Sequence, residues 1–347
     1  MRARAEAAVI TAGAIAFAIA LFALFLLGNG LDPLAVYAVL WLGGFGTPFS
    51  LQATLTQAAP LMLTALCTAI PARAGLLVIG GEGALVVGGV CAVLAGVAAN
   101  ALAPALGTVI VCLGGMAGGA AWIAIAGGLK YLRGVNETIA TLLLNYIAIA
   151  LLNHLVSGPI RDLEVSLKPT SWSIPRSYML EPLPGIGVHW GLAFGILACV
   201  IAFVMLRYTV LGVAIGVLGG NPRAAQLVGL PIGRLTLLAC GFGGAAAGLA
   251  GAVEIVAVHG AASSSLAVGF GYAGILVAFL ARQNPLAVVF FALLVGGISA
   301  SGGLMQRRFD MPDAATQVLQ GIIFLCVLAS NTLYGRFGLF RGRSAAA

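Results

Sequence analysis

From Ala7 to Gly28 the chain carries no charged residue. A helix needs ~20 consecutive apolar residues to cross a bilayer, and in hydrocarbon only a helix or a closed barrel satisfies its own backbone. The pattern recurs along the sequence. Spans are predicted over 7–28, 51–70, 84–98, 104–126, 137–157, 188–206, 235–257, 272–281, 285–302 and 314–333. The expected fold is all-α and polytopic, with about ten transmembrane helices in a single transmembrane domain over residues 1–347. The third and eighth spans are short, and Gly-rich stretches precede both. Residues 34–45 are apolar but broken by glycines, so a surface segment and a re-entrant one both stay open there.

Only 8% of the residues are charged, against ~25% in soluble globular proteins. The protein is therefore integral to a membrane and has no soluble domain of useful size. Its net charge of +7 comes from basic residues in short loops between spans. They read as orientation signals and not as a nucleic-acid surface. Arg2 and Arg4 resemble the n-region of a signal peptide, but the apolar run behind them exceeds the usual ~7–15 residues and lacks a clear cleavage site. It is taken as the first span. The six cysteines, Cys67, Cys91, Cys112, Cys199, Cys240 and Cys326, lie in apolar runs and form no CxxC, as expected for small buried hydrophobes.

With the N-terminus inside, the cytoplasmic segments hold Arg2, Arg4, Arg73, Lys130, Arg133, Arg207, Arg223, Arg234, Arg282, Arg336, Arg341 and Arg343. The outer ones hold Arg161, Lys168, Arg176, Arg307 and Arg308. That distribution predicts both termini inside. The longest outer loop is then Ser157–Gly187, and Gly219–Gly229 (GGNPRAAQLVG) faces the cytoplasm. This last segment is polar and reads as a short helix. Asn221 is a good N-cap, Pro222 suits the first helical position, Arg223, Ala224, Ala225, Gln226 and Leu227 follow, and Gly229 is a C-terminal stop. A short exposed helix between two spans offers a handle to a soluble partner.

Two Gly-rich stretches form a weak repeat. GGEG (Gly80–Gly83) reads as a turn into a short span, and so does GFGYAG (Gly269–Gly274). Five spans separate them, an odd number, which inverts one copy relative to the other, as in many transporters. GGEG is either a helix break lining a permeation path or a tight cytoplasmic turn. Glu82 would be costly against lipid, which favours the path. In NETIATLLLNY, Thr138, Thr141 and Asn145 share one helix face. Asn145 lies ~12 Å beyond Glu137, near mid-membrane. Such a stripe lines a hydrophilic path or bonds helix to helix, and both readings stay open. Glu254 and His259 are five apart, about 140° on a helix, which argues against pairing and for an interfacial carboxylate beside a loop histidine. Gly114, Gly115, Gly118 and Gly119 form overlapping GxxxG pairs, and Gly244 with Gly248 another, all read as packing faces. Neither of the two lysines, Lys130 and Lys168, follows a glycine, so no Walker A loop exists. HExxH and GxSxG are absent as well. Nothing supports an enzyme.

From about Leu51 to Leu333 the chain resembles the permease subunits of ABC importers, in the family serving simple sugars, nucleosides and branched-chain amino acids. Four ordered segments carry the likeness: AGLLVIGGEGA (Ala74–Ala84); GVNETIATLLLNY (Gly134–Tyr146), closest to nucleoside-type permeases; Gly220–Gly229 with GAAAGLAGAVE (Gly244–Glu254); and GYAGILVAFLARQNPL (Gly271–Leu286). Val78 stands where the family usually has Asn before the first Gly-rich turn, and GFGYAG lacks the acidic residue often found after it. The resemblance implies a multi-pass permease of a bacterial cytoplasmic (inner) membrane that moves a nucleoside or simple sugar inward. It implies no cofactor on this chain, ATP being bound by a separate ATPase subunit. A second permease, identical or paralogous, and an extracytoplasmic binding protein at outer loops such as Ser157–Gly187 are the further partners, beside lipid and the small solute. Asn221, Pro222, Arg223, Ala224, Ala225 and Gly229 would form the ATPase-coupling helix. Glu82, Thr138, Thr141 and Asn145 are the candidates for the translocation path. The rival is an ion-coupled secondary transporter, for which Glu254 is the best acid, and a scaffolding protein without transport is the third class.

Overall fold

A computed structural model gives the structure of residues 2–100, 102–163, 168–183, 185, 187–312 and 314–330. Among these the order is α1 (Arg2–Gly28), α2 (Pro33–Trp41), α3 (Pro48–Ala72), α4 (Gly81–Ala98), α5 (Pro104–Arg133), α6 (Glu137–Ser157), α7 (Gly191–Tyr208), α8 (Val210–Gly220), α9 (Pro222–Leu227), α10 (Ile232–Glu254), α11 (Phe270–Leu280), α12 (Pro285–Phe309) and α13 (Ala314–Ser330). The fold is all-α and polytopic. Eight segments are long and apolar enough to cross a membrane, within α1, α3, α4, α5, α6, α7, α10 with its extension to His259, and α12. The predicted spans 272–281 and 314–333 appear as the shorter helices α11 and α13. Residues 331–333, like Arg336, Arg341 and Arg343, lie outside the described residues. At 11 residues α11 is about 16 Å long, half the thickness of a bilayer core.

Three local differences from the sequence expectation have physical causes. GGEG is not a turn: α4 begins at Gly81, Glu82 sits in its first turn, and the break lies upstream in residues 73–80. Second, α8 is an unexpected helix. Thr209 opens it, accepting the Gly212 amide at 3.2 Å and donating to Met205 at 2.6 Å, so one hydroxyl ends α7 and starts α8. Third, α10 continues into a π-turn over Ile255–His259.

The described residues form two compact units, one within residues 2–54 and 297–330, the other within residues 55–296. In the first, α1 packs on α13, and the Tyr37 hydroxyl donates to the Ile19 carbonyl at 2.6 Å. The open segment 34–45 is helical: α2 runs into a π-turn at Leu42–Gly46, where Thr54 donates to the Gly44 carbonyl at 2.6 Å. A wide turn displaces carbonyls from the regular ladder, and this hydroxyl satisfies one of them.

In the second unit α4, α5 and α10 form the centre. The overlapping glycine pairs of α5 serve two different neighbours. A Cβ on Gly114 would lie 2.6 Å from the Ala95 Cβ, and one on Gly118 2.6 Å from the Cys91 Sγ, both on α4. A Cβ on Gly115 would lie 2.8 Å from the Gly248 carbonyl oxygen, and one on Gly119 2.6 Å from the Gly248 Cα, both on α10. Without side chains in the way, dispersion contacts form backbone to backbone.

Candidate functional site

Residues 76–79, between α3 and α4, form neither helix nor strand and so lack an internal hydrogen-bond ladder. Inside a membrane such backbone persists only where protein satisfies it. One face of α6 does so. Glu137 accepts the Leu77 amide at 3.4 Å, and the Thr138 hydroxyl donates to the Leu77 carbonyl at 2.9 Å. Thr141 accepts the Ile79 amide at 3.1 Å. The Asn145 amide group donates to the Ile79 carbonyl at 3.0 Å, and its oxygen accepts the Gly83 amide at 2.8 Å. Asn136 holds the start of α6 by accepting the Thr138 amide at 2.9 Å, and Lys130 pairs with Glu137 at 2.8 Å. The stripe read from the sequence thus grips a stretch of unpaired backbone, a partner that neither open reading named.

Glu82 is buried to 1% exposure. Its carboxylate accepts the Gly269 amide at 2.8 Å and the Gly271 amide at 2.6 Å. It therefore caps α11 from a distant part of the chain, where free amides and the helix dipole favour negative charge. Gly269, at φ +94°, turns the chain into α11, and a Cβ on Gly271 would lie 2.6 Å from the Gly81 carbonyl carbon. The two Gly-rich stretches therefore meet, helix start to helix start, with one carboxylate between them.

Sequence reasoning missed Thr64 and Thr68 on α3. Thr64 donates to the Phe270 carbonyl at 3.0 Å, and Thr68 to the Val78 carbonyl at 3.0 Å, so one helix buttresses both breaks. The available signal was two threonines four apart inside an apolar helix. Trp122 of α5 was missed as well. Its buried indole N–H has no partner and, with the Asn145 oxygen, closes in on Gly83: a Cβ there would meet them at 3.0 and 2.9 Å.

The pairing of Glu254 with His259 corrects the sequence expectation. In the π-turn the bond pattern is i to i+5, and the His259 Nδ1 comes to 3.6 Å from the Glu254 carboxylate. The 140° separation assumed a regular α-helix. Glu254 is 6% exposed.

On the other flank, Asn221 accepts the Arg223 and Ala224 amides at 3.0 and 3.2 Å, and Pro222 is the first helical residue of α9. Gly229 ends it at φ +77°, with Leu230 donating to Ala225 and Gly229 to Gln226, each at 3.0 Å. That is a Schellman stop, whose left-handed residue favours glycine. Asn221, Pro222 and Arg223 are exposed, whereas Ala225 is fully buried and anchors α9. Leu227 and Val228, not singled out from the sequence, are 89% and 75% exposed beside them. α9, the broken segment before α4 and the first turn of α4 share one apolar cluster, which includes Ala225, Leu218, Leu235, Val78 and Ala84.

A family model described as branched-chain amino acid transport system / permease component matches residues 50–328. The guanosine ABC transporter permease protein NupP of Bacillus subtilis is 30% identical, over 96% of each chain. The glucose ABC transporter permease protein TsgB13 of Haloferax volcanii is 29% identical, over 88% of this chain and 83% of its own length. The nucleoside ABC transporter permease protein NupB of Lactococcus lactis is 28% identical, over 90% and 88%. With two helix starts meeting at one buried carboxylate and a family match over most of its length, the chain belongs to the branched-chain amino acid transport system permease components.

Proposed function

We propose that this chain is the membrane permease of an ABC importer that carries a nucleoside or simple sugar into the cell. It would lie in a bacterial inner membrane with both termini cytoplasmic and act as one permease domain. α9 would be the part gripped by a separate ATPase subunit, which binds the ATP. A second permease, the same or paralogous, would complete the path, and an external binding protein would dock on outer loops. The observation that carries the reading is α9: a short helix fixed by a cap at one end and a Schellman stop at the other, with Leu227 and Val228 presented outward and Ala225 seated in the apolar cluster. An apolar pair at the C-terminal end of an exposed helix suits a groove on a soluble partner.

The test is purification of the tagged chain in mild detergent from its native membrane. An ATPase with a Walker A motif should co-purify, and Asn221→Ala with Pro222→Gly should abolish its capture. Recovery of the chain alone, with uptake that survives ATP depletion and collapses with the ion gradient, would refute the proposal. The buried Glu254, with the exposed His259 beside it, favours a second reading, ion-coupled transport. On that reading Glu254→Gln abolishes uptake, whereas an importer driven by ATP keeps it.

A further inference from the structure

From Gly274 to Ala278 every residue of α11 is buried, yet Tyr272 in its first turn is 41% exposed. On α6, Tyr146 follows the fully buried Asn145 and is 62% exposed. Tyr146 lies nine residues beyond Glu137, about 13 Å into a hydrocarbon layer of ~30 Å. Tyr272 follows Gly271, whose amide Glu82 holds, and Tyr146 follows Asn145, which holds the amide of Gly83 next to Glu82, so the two tyrosines flank one junction. The Tyr272 phenol is bonded to the Asn145 side chain. Tyrosines in membrane proteins gather at the water interface, where the hydroxyl stays wet. Two of them at mid-depth, both exposed and both next to residues of the junction between α4 and α11, point to a polar passage there and not to lipid.

Charge at this spot is already committed. The Glu82 carboxylate is held by the Gly269 and Gly271 amides, and the Asn145 amide by Ile79 and Gly83. What remains to meet a solute is two ring faces, the Tyr146 hydroxyl, and the proton of the Tyr272 hydroxyl, whose oxygen takes a bond from Asn145. Ring faces stack on planar bases and on the apolar faces of sugars, and phenol hydroxyls donate and accept. A zwitterionic amino acid would find no opposite charge among them.

We propose that Tyr272 and Tyr146 are the mid-membrane contact for the solute and select a neutral ring bearing hydroxyls, a nucleoside or a hexose, over an amino acid. The inference rests on the transport reading above and assigns the residues that meet its solute.

A thiol-accessibility experiment decides it without the ATPase. Tyr272→Cys and Tyr146→Cys are made in the full chain with its six cysteines replaced by alanine, and also in the native chain with the unsubstituted protein as blank. The reagent is a permanently charged methanethiosulfonate, which reacts with the thiolate and so reports water contact. Leu113→Cys, an exposed residue nine positions into α5, is the lipid-facing reference. Both tyrosine positions are expected to react at least tenfold faster than the reference. Millimolar uridine, guanosine or D-glucose should slow the reaction at Tyr272→Cys at least twofold, and L-leucine should not. Reaction at the reference rate, no protection by any ring solute, or equal protection by L-leucine overturns the proposal. Failure of the importer reading shows elsewhere, as uptake by the unsubstituted protein that ignores ATP.

Discussion

Glu82 holds two amides that nothing else reaches. Its replacement by alanine leaves the Gly271 amide buried and unpaired, at about 1–3 kcal/mol, and the half-buried Gly269 amide without its acceptor. Glu82→Ala is therefore expected to lower the melting midpoint in detergent sharply, and Glu82→Gln, which keeps one acceptor oxygen, by less. An unchanged midpoint in Glu82→Ala would show that the junction does not depend on this cap. Asn145→Leu removes a donor and an acceptor together and should cost a similar amount, read by the same melt. His189, in the loop before α7, adds a pH effect. Burial pushes its imidazole below the usual pKa of 6.5, and its Nδ1 accepts the Gly191 amide at 3.1 Å. The unfolded chain then binds the proton more readily, so stability present above pH 6.5 falls as the pH drops below it. His189→Asn, which keeps an acceptor near Gly191, should flatten that acid-side loss in melts between neutral and mildly acidic pH. The polar face of α6 was legible in the sequence because threonine and asparagine at helical spacing stand out in an apolar run. Its partner was not, because residues 76–79 read as one more apolar stretch, and only tertiary packing shows that their backbone is bare.

Helix contacts turn on which glycines are crowded. On α10, a Cβ at Gly248 would fall 3.0 Å from the Gly119 Cα and closer still to Gly115, while Gly241 meets nothing within 4 Å. Gly248→Ala is expected to force α5 and α10 apart and reduce folded yield in size-exclusion chromatography. Gly241→Ala should be neutral or stabilise by about 0.5–1 kcal/mol through helix propensity alone. Equal behaviour of the two would refute the close packing. The GxxxG spacing announced close packing but not its partners. The shift of one residue between the pairs turns them by about 100°, enough to face α4 with one and α10 with the other. What the sequence withheld at this scale was irregularity. α8 hides in a stretch too short to span, and the π-turn after Glu254 rotates His259 into reach of a carboxylate that regular spacing sets aside.

At the scale of the molecule, gripping α9 and transmitting force from it are separable. Asn221 and Pro222 shape its exposed start, whereas Ala225 sits in a cluster with Leu218 of α8, Leu235 of α10, Val78 of the broken segment and Ala84 of α4. A packed core deforms little, so a push on α9 moves that cluster as a body and reaches the backbone that α6 and α3 hold. Spatial continuity alone does not prove coupling, so the two functions must be parted by mutation. Asn221→Ala with Pro222→Gly should lose ATPase capture and transport together. Ala225→Gly leaves the outer face intact but loosens its anchor. It should retain capture while uptake falls severalfold and ATP hydrolysis continues without solute movement, measured in proteoliposomes holding the complete transporter. Uptake and hydrolysis falling in parallel in Ala225→Gly would mean that the anchor serves only the grip, and that force reaches the junction of α4 and α11 by another route.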